Sequence, residues 1–202
     1  MKEILEGVYH WTAHHEEIHT DVHSYYIEAA EPAILIDPMT STAGMTWFSN
    51  HKLPQHVYLT NRLHYRHCQQ FIKAFGTKIW CHEAGLRDFG ENEPVQGFAH
   101  GDELPGGILA LEVGVLCPEE TALYISHAGG MLAIGDALVR YDGKLGFVPD
   151  YLMGSDPEGI KRGLRRVFSQ HLQRDFDHLL FAHGQPWIGG AKAGLRAFLK
   201  GL

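Results

Sequence analysis

The stretch Leu59-Thr60-Asn61-Arg62-Leu63-His64-Tyr65-Arg66-His67 sets two histidines and two arginines close together. An apolar run, Val57-Tyr58-Leu59, leads into it, and a helix-like segment from Gln69 to Phe75 leads out. The polar residues therefore belong to a loop where a strand hands over to a helix. In α/β proteins such loops lie at the carboxyl ends of strands, where ligands bind. Two later stretches, Gly135-Asp136 and Ala182-His183-Gly184, follow apolar runs in the same way and read as further pieces of one site. The chain carries 15 histidines. Histidine is the commonest metal ligand and titrates near neutrality, so this count favours metal binding or proton transfer.

The elements around these residues read as follows. Gly7 to Trp11 is a strand, and the histidine-rich stretch after it, with His14, His15 and Glu16, reads as a solvated loop. Ser24–Glu28 and Ala33–Ile36 form a hairpin, and the second of these strands ends in Asp37-Pro38. Asp37 stands at a strand end beside the candidate site and is expected to orient its neighbours rather than bind directly. Residues 42–51 read as a short amphipathic helix. Phe71, Ala74 and Phe75 give the helix after the central loop one apolar face, and Gly76 stops it. Residues 91–101 read as irregular. Further strands fall at Lys78–Cys81, Ile108–Val115, Thr121–Ser126, Met131–Ile134 and His178–Phe181. Further helices fall at Pro157–Phe168 and Ala191–Leu199.

Bulk properties narrow the function. The 202 residues suffice for one domain with a real core, and no linker divides them, so residues 1–202 are expected to form a single domain. A net charge of -7 argues against a nucleic-acid surface. No apolar run is long enough to span a membrane. The three cysteines are widely spaced and imply neither a disulfide framework nor a cysteine metal knot. With an N-terminus that lacks the apolar core of a signal peptide, the expected compartment is the cytoplasm.

The order of these parts resembles the metallo-β-lactamase fold superfamily. The resemblance rests on Leu35-Ile36-Asp37-Pro38, Val57-Tyr58-Leu59-Thr60 with its loop, Leu123-Tyr124-Ile125, Gly135-Asp136-Ala137-Leu138 and Ala182-His183-Gly184-Gln185-Pro186. It implies an α/β fold, a four-layer αβ/βα sandwich of two mixed β-sheets flanked by helices, with metals in a cleft at the sheet edges. The family's loop, Thr-His-x-His-x-Asp-His, is degenerate here. Without a gap, its ligand positions become Asn61, Leu63, Tyr65 and Arg66. With one extra residue they become Arg62, His64, Arg66 and His67, which keeps two histidines at the family's spacing. The gapped register is preferred because it also aligns Phe71 and Ala74 with the family's apolar helix positions. The histidine expected near Cys117-Pro118 is missing, whereas Asp136 and His183 match the family's bridging aspartate and last histidine.

The resemblance thus implies at most one metal ion, zinc or else iron or manganese, held by His64, His67, Asp136 and His183. Asp136 and His64 are the expected catalytic groups in a hydrolase of an ester, thioester, lactone or phosphoester. Arg62 and Arg66 oppose cations and suit a carboxylate or phosphate, so they are expected to bind substrate. Two metal-free readings stay open. One is a non-catalytic protein holding an anionic small molecule through Arg62 and Arg66. The other is an acid–base enzyme using His64 or His183 with Asp136. The expected partner is a small-molecule substrate or anionic ligand, not nucleic acid or membrane, and a homodimer is left open.

Overall fold

In a computed structural model of the chain, described for residues 1–201, two mixed sheets pack face to face with helices on both outer sides. The first sheet has seven strands in chain order: β1 (Lys2–Leu5), β2 (Val8–His15), β3 (Thr20–Ile27), β4 (Ile34–Ile36), β5 (His56–Tyr58), β6 (Lys78–His82) and β7 (Val95–Phe98). Strands β1 to β4 pair antiparallel, and β4 to β7 pair parallel. The second sheet is built from β8 (Glu103–Leu104), β9 (Ile108–Glu112), β10 (Thr121–Ile125), β11 (Met131–Ile134) and β14 (His178–Phe181), in the order β14-β11-β10-β9-β8. There β11 and β14 pair parallel and the rest antiparallel. Strands β12 (Leu138–Tyr141) and β13 (Lys144–Phe147) form a separate hairpin.

Burial on both faces explains why the central strands read as nearly continuous apolar runs. In β3 and β4, Tyr25, Ile27, Ile34 and Ile36 point between the sheets and meet Ile108, Leu123, Met131 and Leu180. Their neighbours Tyr26 and Leu35 point outward, where Phe48 and Phe71 cover them. Phe71 belongs to helix α1 (Cys68–Phe75), which Gly76 ends in the left-handed conformation. On the far side, helices α2 (Pro157–His171) and α3 (Ala191–Gly201) lay Leu164, Phe168, Leu195 and Leu199 against Leu132, Leu179 and Phe181. Four layers follow: helix, sheet, sheet, helices. No helix among the described residues is long and apolar enough to cross a membrane.

Several elements depart from the expectations above. The histidine-rich stretch is largely strand, since β2 runs to His15 and β3 starts at Thr20, with His14 Nδ1 3.1 Å from Asp21 across the hairpin. The stretch 91–101 contains β7, and the 42–51 stretch forms only a 3-10 turn, Met45–Asn50. The β12–β13 hairpin has no counterpart in the sequence reading; it is short, partly exposed and turns at Asp142-Gly143.

The sheets are also joined by polar contacts at the site end. Tyr25 on β3 is buried, and its hydroxyl donates to Phe181 O on β14 at 2.9 Å and accepts from Phe181 N at 3.0 Å. Thr121 N donates to Thr60 O and His23 N to Ala182 O, each between the two sheets. Removing the Tyr25 hydroxyl strands a buried amide and a buried carbonyl. Tyr25→Phe should therefore lower unfolding stability by about 1–3 kcal/mol, measured by urea denaturation with an unchanged slope. A loss no larger than that of an exposed substitution would show that the hydroxyl does not join the sheets.

Candidate metal centre

Each piece of the site follows a strand of a parallel pair. Asp37 follows β4, Thr60 and Asn61 follow β5, Asp136 follows β11 and His183 follows β14. The carboxyl ends of both parallel pairs thus meet at one edge of the sandwich. Asn61 opens a 3-10 turn over Arg62–Tyr65 by accepting from Leu63 N at 3.0 Å. That tight turn swings the buried His64 back beneath the loop. Close packing permits this because Gly135, just before Asp136, has no side chain to strike Thr60: a Cβ there would lie 2.8 Å from Thr60 Oγ1. Gly184 has the same role after His183, with a positive φ of 111° and a Cβ position 2.1 Å from Arg140 O.

His64 lies between two carboxylates. Its Nδ1 is 3.1 Å from Asp37 Oδ2, and its Nε2 is 3.0 Å from Asp136 Oδ1. His183 Nε2 approaches the same Asp136 oxygen at 3.2 Å. The three groups, His64, Asp136 and His183, each present a ligand atom, all within 4.8 Å of one another. Asp136 Oδ1 is shielded from solvent, and its near polar neighbours are these two ring nitrogens. Asn61 Nδ2 holds the other oxygen, Oδ2, at 3.0 Å. Ligand atoms bound about 2.1 Å from one metal ion at angles near 90–110° lie about 3.0–3.4 Å apart. The two spacings at Asp136 Oδ1 fall in that range, and two imidazoles with one carboxylate are a donor set that suits a divalent cation.

The charges are finely balanced. Burial and Arg66 push the His64 pKa down, but Asp136 and Asp37 outweigh them and raise it to about 9. Burial opposes the charge on Asp136 and on Asp37, yet His64 holds both carboxyls below the ordinary carboxylate range. Histidine 183 adds to this for Asp136, while Arg66 and Thr60 add to it for Asp37. Without a metal, a proton on His64 links the two acids. A metal ion would take the place of that proton on Nε2, so binding should release it.

The remaining expected residues are placed as follows. His67 stands apart from the cluster: its Nδ1 accepts from Thr40 N at 3.0 Å, so the structure does not bring it to the other three ligands. Arg62 and Arg66 both line the cleft, and each is engaged with the protein. Arg62 pairs with the buried Glu119 and, through Nε, with Asp88 at 2.5 Å. Arg66 donates to Asp37 O at 2.8 Å and His23 O at 3.3 Å and makes no ion pair with Asp136. Its backbone is strained, with φ 43°. Asp37 orients the site as expected. Neither loop register survives whole, because the 3-10 turn brings in His64 from the gapped reading and Asn61 from the ungapped one.

Two site residues escaped the sequence reading. Asn61 had a signal, since it fills the first ligand position of the ungapped register, where it also reaches Cys117 Sγ at 3.4 Å. Glu120 had none beyond two acids before a strand. It is buried, and its Oε1 accepts from Asp136 N at 3.0 Å and Ala137 N at 2.6 Å, fixing the turn that presents Asp136. Its Oε2 has no partner, and burial together with the Asp136 charge raises its pKa to about 8. The folded chain therefore binds this proton more tightly than the unfolded chain does. The stabilisation is full below the ordinary glutamate value of 4.5 and is lost as pH rises through about 8. Glu120→Gln keeps the accepting oxygen and cannot ionise. Thermal melts from pH 5 to 8 should show a shallower decline for this variant than for wild type, and parallel curves would refute the assignment.

No family model matches the sequence, and no curated protein matches it. Solved structures do match the fold. BLEG-1, a B3 metallo-β-lactamase, superposes with TM-score 0.69 at 15% identity, over 95% of this chain and 99% of that one. TTHA1623, solved in a di-iron-bound form, gives 0.64 at 19% identity, over 87% and 92%. ST1585, an archaeal metallo-β-lactamase superfamily protein from Sulfolobus tokodaii, gives 0.64 at 14% identity, over 96% and 85%. The paired mixed sheets and the outer helices agree with these matches: in architecture, the chain is a metallo-β-lactamase-fold protein.

Proposed function

We propose that the chain holds one divalent metal ion on His64, Asp136 and His183 and hydrolyses an ester, thioester, lactone or phosphoester. The observation that carries this reading is the convergence of two imidazole nitrogens on the solvent-shielded Asp136 Oδ1 in an open cleft of about 730 Å³. Two imidazoles and one carboxylate leave positions free for water and substrate. When bound, the ion would supply Lewis-acid polarisation of a substrate oxygen and a more acidic water.

The chain's own residues prepare that site. Asp37 fixes the His64 ring and makes its Nε2 the better donor toward a cation. Asn61 occupies Asp136 Oδ2 and so turns Oδ1 toward the two imidazoles. Asp136 and His183 are the partly open members of the cluster, with side chains 22% and 16% exposed, and so face a water entering the cleft. A second ion finds little to hold it. Asn61, Leu63, Tyr65 and Arg66 stand in the ungapped family positions, and Tyr65 is buried against Phe89. The two-iron neighbour makes iron a metal to test beside zinc and manganese.

Metal analysis of protein purified without chelator should find one ion per chain. Asp136→Ala and His183→Ala should each lose it, and Asp37→Asn should weaken affinity about 10–100-fold. Two tightly held ions in the wild type, or full retention in His183→Ala, would contradict the proposal.

A further inference from the structure

The cleft has two unlike ends. Its floor is polar, with His64, Asp136, His183 and Asn61. Its rim is apolar and carries Ile18, Leu63, Tyr141, Tyr151 and Leu152. These are five of the seven large hydrophobic side chains that stand exposed among the described residues; the other two, Leu53 and Ile188, lie outside the cleft. Tyr151 is 82% exposed and Leu63 67%.

The five come from four separate segments: the β2–β3 turn, the 3-10 turn after β5, the end of β12, and the 3-10 turn Asp150–Leu152. Single exposed apolar side chains are ordinary, but their convergence on one opening marks a binding surface.

Charge narrows the ligand further. The cleft lining contains no lysine. Of its two arginines, Arg62 is ion-paired with Glu119 and Asp88, and Arg66 turns Nη1 to the backbone carbonyls of His23 and Asp37. Glu17 and Asp136 add negative charge to the same lining. An anionic acyl part lying along the rim would meet no lysine there, and Arg62 is already ion-paired.

We infer that the cleft selects a neutral carboxylic ester, thioester or lactone with a long or bulky apolar acyl group, and disfavours phosphoesters and other anions. This rests on the hydrolase reading and narrows its substrate. Water would add at the acyl carbon and the acyl–oxygen or acyl–sulfur bond would break, giving the acid and the alcohol or thiol. The apolar acyl part would lie along the rim while the carbonyl faces the floor. Each methylene buried there should favour the longer substrate about fourfold.

The test pairs turnover with binding. Metal-loaded protein is given p-nitrophenyl acetate, butyrate and octanoate, and the same protein is titrated with the neutral probe Nile red, with p-nitrophenyl octanoate or inorganic phosphate as competitor. The wild type should prefer octanoate, and octanoate but not phosphate should displace the probe. In the double variant Tyr151→Ser, Leu152→Ser, the octanoate-to-acetate ratio of kcat/KM and the probe affinity should both fall about tenfold. Circular dichroism of the variant controls for folding. Probe binding that depends on the rim, with no hydrolysis of any ester, would sink the hydrolase reading while supporting an apolar ligand. Displacement by phosphate, or probe binding indifferent to the variant, would overturn the inference. So would a change from dimer to monomer in the variant with unaltered probe binding, since the rim would then serve self-association.

Discussion

A buried carboxylate cannot stand without compensation, and the Asp37 carboxylate is buried almost completely. Its surroundings answer that constraint. Oδ1 accepts from Thr60 N at 2.9 Å, Oδ2 accepts from Thr60 Oγ1 at 2.5 Å, and the His64 ring closes the shell. Because Asp37 ends β4 and Thr60 follows β5, satisfying this one charge fixes the loop after β5 against the end of its neighbour. The backbone oxygen of Asp37 has a second role, accepting from Ser24 Oγ on β3 and from Arg66. Its left-handed φ of 46° is costly for a non-glycine residue and persists because these contacts determine it.

From that anchor the chemistry of the cleft follows. With one imidazole nitrogen committed to Asp37, His64 turns the other toward Asp136, and His183 approaches from the second sheet. The acids near this point are kept in different states. Asp136 remains charged because two histidines face it, whereas burial and the Asp136 charge raise the pKa of Glu120, which accepts from the amides of the same turn. That division leaves a single carboxylate to share between imidazoles and cation. The arginines take no part in it directly. Arg62 secures the outer side of the loop to Glu119 and Asp88, and Arg66 passes beneath it to hold two carbonyls. Both arginines expected to bind substrate line the cleft and also hold the loop.

The sequence made the layered fold legible because β4 and β11 are buried and wholly apolar, and β5 and β14 are apolar after an opening histidine. It hid β7 and the β12–β13 hairpin, whose exposed positions and glycines resemble turns. Asp37, His64, Asp136 and His183 were legible because each polar side chain ends or follows an apolar run. His67 was misleading for a local reason: a 3-10 turn does not carry residues three apart to the places an extended loop would, and His67 ends against Thr40. Asn61 and Glu120 act through hydrogen bonds to Asp136 and its turn, partners far away in the chain, which no local pattern reveals.

The central claim is that one ion is held by two imidazoles and a carboxylate, with His64 oriented through Asp37. X-ray absorption at the metal edge of the loaded protein reads that arrangement directly. The account expects a first shell of nitrogen and oxygen with outer-shell scattering from two imidazole rings and none from a second metal. A metal–metal vector, or a shell with fewer than two imidazoles, would contradict it.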